Sequence, residues 1–155
     1  MIDLMETFLR LGAATLAGGA IGLNRDLRGK PTGVRTLGIV GLGSALAVLT
    51  ATNYPSVDAN DVSAISRTVQ GVITGIGFLG AGVIIRNDTD AVRVHGLTTA
   101  ACIWLTAAIG LACGIGAWHL LAAGLTFTLL LLLLGGPIER AVHRGWSGGA
   151  EGSES

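Results

Sequence analysis

Residues 96–137 read GLTTAACIWLTAAIGLACGIGAWHLLAAGLTFTLLLLLLGGP and contain no Asp, Glu, Lys or Arg. A spanning helix uses about 17 to 25 mostly apolar residues, so this run is too long for one helix and too apolar for a soluble core. The turn Gly114-Ile115-Gly116 divides it into two spans, approximately 96–114 and 117–137. Three further windows of the same kind lie upstream, at about 4–23, 34–53 and 66–86. Connectors remain near 24–33, 54–65 and 87–95, with no room for a soluble domain. The sequence therefore predicts an all-α membrane protein, a single five-helix bundle over 1–145. Its last residues, 146–155, are Ser-, Gly- and Glu-rich and are expected to be disordered.

The composition agrees. Of 155 residues, 50% are hydrophobic and 13% charged, against about 25% charged in soluble domains. The mean hydropathy is +0.66. Ten Lys and Arg balance ten Asp and Glu, and without a basic stripe a nucleic-acid partner is set aside. Asp3 and Glu6 precede the first apolar window, which does not resemble a cleavable signal peptide. Cys102 and Cys113 would lie about 16 Å apart along one helix, too far to bridge, and are read as buried free thiols.

Orientation follows from the basic residues of the short loops. Arg25, Arg28, Lys30 and Arg35 surround the first loop, Arg86 and Arg93 border the third, and Arg140 and Arg144 open the tail. The second loop carries Asp58 and Asp61 and no cation. The expected topology places the N-terminus outside and the C-terminus in the cytoplasm. Glu6 and Arg10 interrupt the first span. Arg10 is expected either to snorkel to the headgroups or to pair inside the bundle. Arg67, Gln70 and His119 read as interface anchors.

Glycine is concentrated inside the spans. Gly18/Gly22, Gly71/Gly75 and Gly110/Gly114 have the four-residue spacing that lets helix backbones approach in lipid. Gly75-Ile-Gly77-Phe78-Leu-Gly80-Ala-Gly82 admits two readings: tight packing, or an unwound segment exposing carbonyls as in transporter ion sites. Its formal G-x-G-x-x-G match lacks the strand and acidic residue of a dinucleotide site, and Gly29-Lys30 is followed by Pro31 where a phosphate loop needs Ser or Thr. No Asp or Glu occupies the middle of a span, which argues against a carboxylate-lined cation path. No nucleophile–base pair, HExxH, CxxC or paired carboxylate appears, so no enzyme, cofactor or metal site is expected.

The densest polar cluster is the first loop, Asn24-Arg25-Asp26-Leu-Arg28-Gly-Lys30-Pro31-Thr-Gly33-Val-Arg35-Thr36. Positive-inside anchoring accounts for its cations but not for Asp26 among them. Asp26 is expected to form an ion pair with Arg35, or with Arg93 or His95 of the third loop. Pro31 and Gly33 supply the turn into the second span.

Taken in order, this loop from Gly22, the Gly75–Gly82 segment and Gly96-Leu-Thr98-Thr99-Ala-Ala-Cys-Ile-Trp104 with Ala107-Ala-Ile-Gly110 resemble the MgtC/SapB family of bacterial inner-membrane proteins, over roughly residues 8 to 115. The resemblance implies a polytopic inner-membrane protein tied to magnesium limitation, acid tolerance and survival in macrophages. It implies action on a membrane partner such as the F-type ATP synthase rather than direct magnesium transport. The matching positions are Arg10, Asp26, Gly33, Arg35, Thr36, Gly75, Gly77, Phe78, Gly80, Gly82, Gly96, Thr98, Thr99 and Trp104. Where the family writes Glu-Arg-Glu or Glu-Arg-Gln after the first span, this chain has Asn24-Arg25-Asp26, so a role for the first acid does not transfer. Nor does regulation through the cytoplasmic domain of longer members. The leading expectation is a non-enzymatic modulator of ion homeostasis and stress adaptation. The alternative is a small-ion transporter or channel for magnesium or protons, and a weaker third reading is an assembly subunit, the small-residue faces allowing a homo-oligomer.

Overall fold

The computed structural model describes residues 2–53, 62–85 and 96–150, with side chains over 2–53, 62–84 and 96–138. The described residues form five helices and no strand: α1 (Leu4–Asp26), α2 (Val34–Thr52), α3 (Val62–Ile85), α4 (Leu97–Ile115) and α5 (Trp118–Ala150). All five expected helices are therefore present. By length and composition, α2, α3, α4 and α5 are apolar enough to cross a membrane. In α1 the residues Glu6, Arg10, Arg25 and Asp26 lower the hydropathy.

The core is built from α1, α2 and α4. On α1 the buried residues Ala14, Ala17, Gly18, Ile21, Gly22 and Arg25 recur at three- and four-residue steps, one stripe of the helix. On α4 burial extends round most of the surface, from Thr99 through Cys102, Ile103, Thr106, Ala107 and Gly110 to Gly114. It is the central helix. Glycines permit the approach: a Cβ at Gly22 would lie 2.7 Å from the Gly33 carbonyl, and one at Gly41 would lie 2.5 Å from the Ala14 carbonyl. Cβ atoms at Gly18 and Gly110 would overlap the Leu37 and Gly41 carbonyls, and one at Gly114 would sit 2.7 Å from the Ala45 carbonyl. Two of the three expected glycine pairs thus seat helix backbones against one another.

Gly71/Gly75 does not. A Cβ at either position meets nothing within 4 Å among the described residues, because this face of α3 points away from the bundle. The same openness holds at Gly77 and Gly82, while Gly80 alone of its segment approaches a neighbour, with 3.4 Å to the Ala100 Cβ. The unwound alternative is also corrected, since α3 is α-helical throughout Val62–Ile85. An outward segment within lipid must satisfy its own N–H and C=O groups, and regular helix does so.

The last helix continues past Pro137, where the sequence places the end of the span. Proline has no N–H to offer the carbonyl four residues before it. That carbonyl, of Leu133, accepts instead from Arg28 Nη2 at 3.2 Å. A side chain from the first loop thus supplies the missing donor. The expected 146–155 tail falls partly on α5, which ends at Ala150, and partly on residues 151–155, outside the described residues.

Candidate functional site

Polar side chains gather at the two ends of the antiparallel pair formed by α1 and α4. At one end, Arg10 Nε donates to Glu6 Oε1 at 2.7 Å, a bond between residues one turn apart, and Arg10 Nη1 donates to the Gly114 carbonyl at 2.9 Å. The last carbonyls of a helix lack intrahelical donors and carry its negative partial charge, so a guanidinium is favoured there. Arg10 therefore pairs inside the bundle. Gly116 ends α4 with φ 83°, and a Cβ there would stand 2.6 Å from Arg10 Nη2. Any other residue is strained there by the left-handed backbone, and its Cβ would oblige the guanidinium to shift.

At the other end the first loop folds over the start of α4. Arg25, 3% exposed, donates from Nε and Nη2 to the Pro31 carbonyl at 3.2 Å, from Nη2 to Thr99 Oγ1, and from Nη1 to Cys102 Sγ at 3.4 Å. This one side chain ties α1, the loop and α4 together. Asp26 turns the other way. Its Oδ2 accepts from the Val34 amide at 2.9 Å, and the N-cap of α2 is Gly33, which has no side chain to cap with. Asp26 caps α2 from across the loop. A Cβ at Gly33 would overlap the Asp26 carboxylate, so the glycine and the acid form a matched pair.

The expected ion pair of Asp26 with Arg35 is therefore corrected. Arg35 and Thr36 lie on the first turn of α2, exposed, and the carboxylate accepts instead from the Val34 amide. Arg93 and His95 lie outside the described residues. Of the remaining motif positions, Thr99 is buried against Arg25, and Thr98 and Gly96 line a cavity beside it. Gly96 is left-handed, φ 90°, with a Cβ position 3.0 Å from the Val83 carbonyl. Phe78 (81% exposed) and Trp104 (46%) face outward, and Gly75, Gly77 and Gly82 share that open character. The motif residues thus separate into a loop-end cluster, the Arg10 clasp and outward positions on α3 and on α4. Arg25 and Cys102 were not singled out as site residues. The signal for Arg25 was its register, three residues after Gly22 on the buried stripe.

The cavity holds about 580 Å³ between the first loop, the start of α4 and α5, and Asn24, Arg25, Arg28 and Lys30 lie on its wall. Among the described residues no group of His, Cys, Asp and Glu is placed to hold a metal ion.

A polytopic α-helical bundle with a backbone-tight core and a basic loop-end cavity is an integral membrane protein. Residues 11–141 match the MgtC family, and the chain belongs to that family. It is 47% identical to SrpB of Synechococcus elongatus over 138 residues, covering 84% of this chain and 75% of that protein. It is 42% identical to the putative magnesium transporter YhiD of Escherichia coli K12 over 132 residues, 82% of this chain and 59% of YhiD. With MgtC of Brucella abortus the identity is 36% over 140 residues, 90% of this chain and 56% of that protein. The chain thus spans little more than half the length of the last two. No solved structure matches it.

Proposed function

We propose that this chain is a non-enzymatic inner-membrane protein of magnesium homeostasis that acts by modulating a membrane partner. The observation that carries this reading is the packing of α1, α2 and α4. Their backbones approach closely at Gly18, Gly22, Gly41, Gly110 and Gly114, which favours a packed core over an ion path between them, while α3 and α5 stay peripheral. The outward positions of Phe78 and Trp104 supply an apolar face for a neighbour within the bilayer. The naming of YhiD supports the link with magnesium. The F-type ATP synthase is the partner to test first. Inverted membrane vesicles containing the chain should show altered proton-coupled ATP synthesis, and Phe78→Ala with Trp104→Ala should remove the effect without lowering the amount of chain in the membrane. Unchanged synthesis at comparable expression excludes this partner.

A second reading, a small-ion carrier, is favoured by the name of YhiD itself. Purified chain in liposomes decides between the two. Modulation predicts no magnesium or proton flux above that of empty vesicles, and saturable flux would establish transport.

A further inference from the structure

Among the described residues, the wall of the loop-end cavity carries three cations, Arg25, Arg28 and Lys30, and no Asp or Glu. Arg25 is almost wholly buried, yet its described partners are neutral: a carbonyl, a hydroxyl and a thiol. A cation withdrawn from water without a counter-charge is costly, and an anion brought to it offsets that cost. The nearby acid Asp26 does not serve, because its carboxylate is committed to the Val34 amide.

The floor of the cavity is the start of α4. Its N-cap Gly96 has no side chain to cap with, so the amides of Leu97, Thr98 and Thr99 have no intrahelical carbonyl to meet. Free amides at the positive end of a 19-residue helix favour an anion on the same side as the cations. Asn24 adds an independent observation. It lines the same cavity, and its buried Oδ1 has no hydrogen-bond partner. An idle acceptor beside a set of donors fits a ligand that brings a hydroxyl together with its anionic oxygens. Leu97, Leu131 and Leu132 give the wall an apolar side.

We infer that this cavity binds a phosphate group, held by Arg25, Lys30 and the first-turn amides of α4, with Arg28 at the rim. Donors converge from the loop and from the helix end, which suits a tetrahedral group with several oxygens better than a flat carboxylate. Free phosphate and the headgroup of an anionic phospholipid share this chemistry, the latter running its chains along Leu131 and Leu132. The inference is independent of partner modulation.

The experiment uses the full chain. In lipid-free detergent, thermal unfolding is followed while inorganic phosphate is titrated against chloride at equal ionic strength. In nanodiscs, phosphatidylglycerol is compared with phosphatidylcholine. Saturable stabilisation by phosphate in detergent identifies the free anion, and stabilisation by phosphatidylglycerol alone identifies the lipid headgroup. Lys30→Glu, an exposed substitution that leaves the core intact, should weaken the effective arm by roughly tenfold or more, as expected for loss of a charge-assisted contact. Arg35→Gln, an exposed cation outside the cavity, should leave it unchanged. No stabilisation in either arm overturns the inference, as does equal weakening by the two substitutions, which reports diffuse surface charge.

Discussion

Asp26 and Arg25 are neighbours in sequence and do opposite work. Asp26→Ala removes a cap from α2, worth about 1 kcal/mol. Arg25→Ala leaves the buried Thr99 hydroxyl without its donor, loses the tie to the Pro31 carbonyl and empties a buried site, which together cost about 2 to 3 kcal/mol. We expect unfolding of the purified variants to rank Arg25→Ala as the most destabilised, Asp26→Ala next and Lys30→Ala near wild type. An Asp26→Ala loss exceeding that of Arg25→Ala would show that the cap, and not the arginine, secures the loop. The loop was legible as a functional cluster because acids contribute little to topology and Asp26 therefore needed its own explanation. Its partner was not legible. A carboxylate among four cations reads as an ion pair, and only the folded loop shows that the nearest donor is the Val34 amide.

The same substitution should have opposite signs on two helices. Gly110→Ala places a methyl group into the Gly41 carbonyl and should cost about 1 to 3 kcal/mol through displacement of backbone that cannot yield. Gly77→Ala meets open space and removes a poor helix former, a gain of up to about 1 kcal/mol. Thermal midpoints of the two variants test this directly, and a destabilised Gly77→Ala would mean that α3 packs that face against something further. Apolar windows located all five helices, since period and length survive without tertiary knowledge. They did not tell inward glycine from outward: Gly71/Gly75 has the spacing of Gly110/Gly114 and none of its contacts. The boundaries moved where polar chemistry intervenes. Helix α3 starts at Val62, earlier than the window at 66, because Ser63 and Ala64 add little hydropathy without opposing a helix. Helix α5 passes Pro137 because Arg28, distant in sequence, takes the stranded carbonyl.

Across the whole molecule, burial is uneven. Over their apolar windows, α4 is 56% and α2 39% buried, whereas α3 and α5 are each 6% buried, so two spans are held by one side and leave the other to lipid or a neighbour. The loop charges set the orientation to be tested. In a Cys102→Ser, Cys113→Ala background, which keeps an acceptor for Arg25, a cysteine at Lys30 should label from the cytoplasm and one at Asn53 from outside; labelling of both from one side would refute the five-span arrangement. The two arginine clasps have a consequence for how such a molecule varies over time. Arg10 and Arg25 grip Gly114 and Thr99, anchor points fifteen residues apart on each helix, about 22 Å of rise. Lengthening either helix by one residue between its anchors would rotate and shift one clasp out of reach. Insertions and deletions in these two segments are tolerable only as matched pairs, so the stretches 10–25 and 99–114 should keep equal length wherever both arginines are retained.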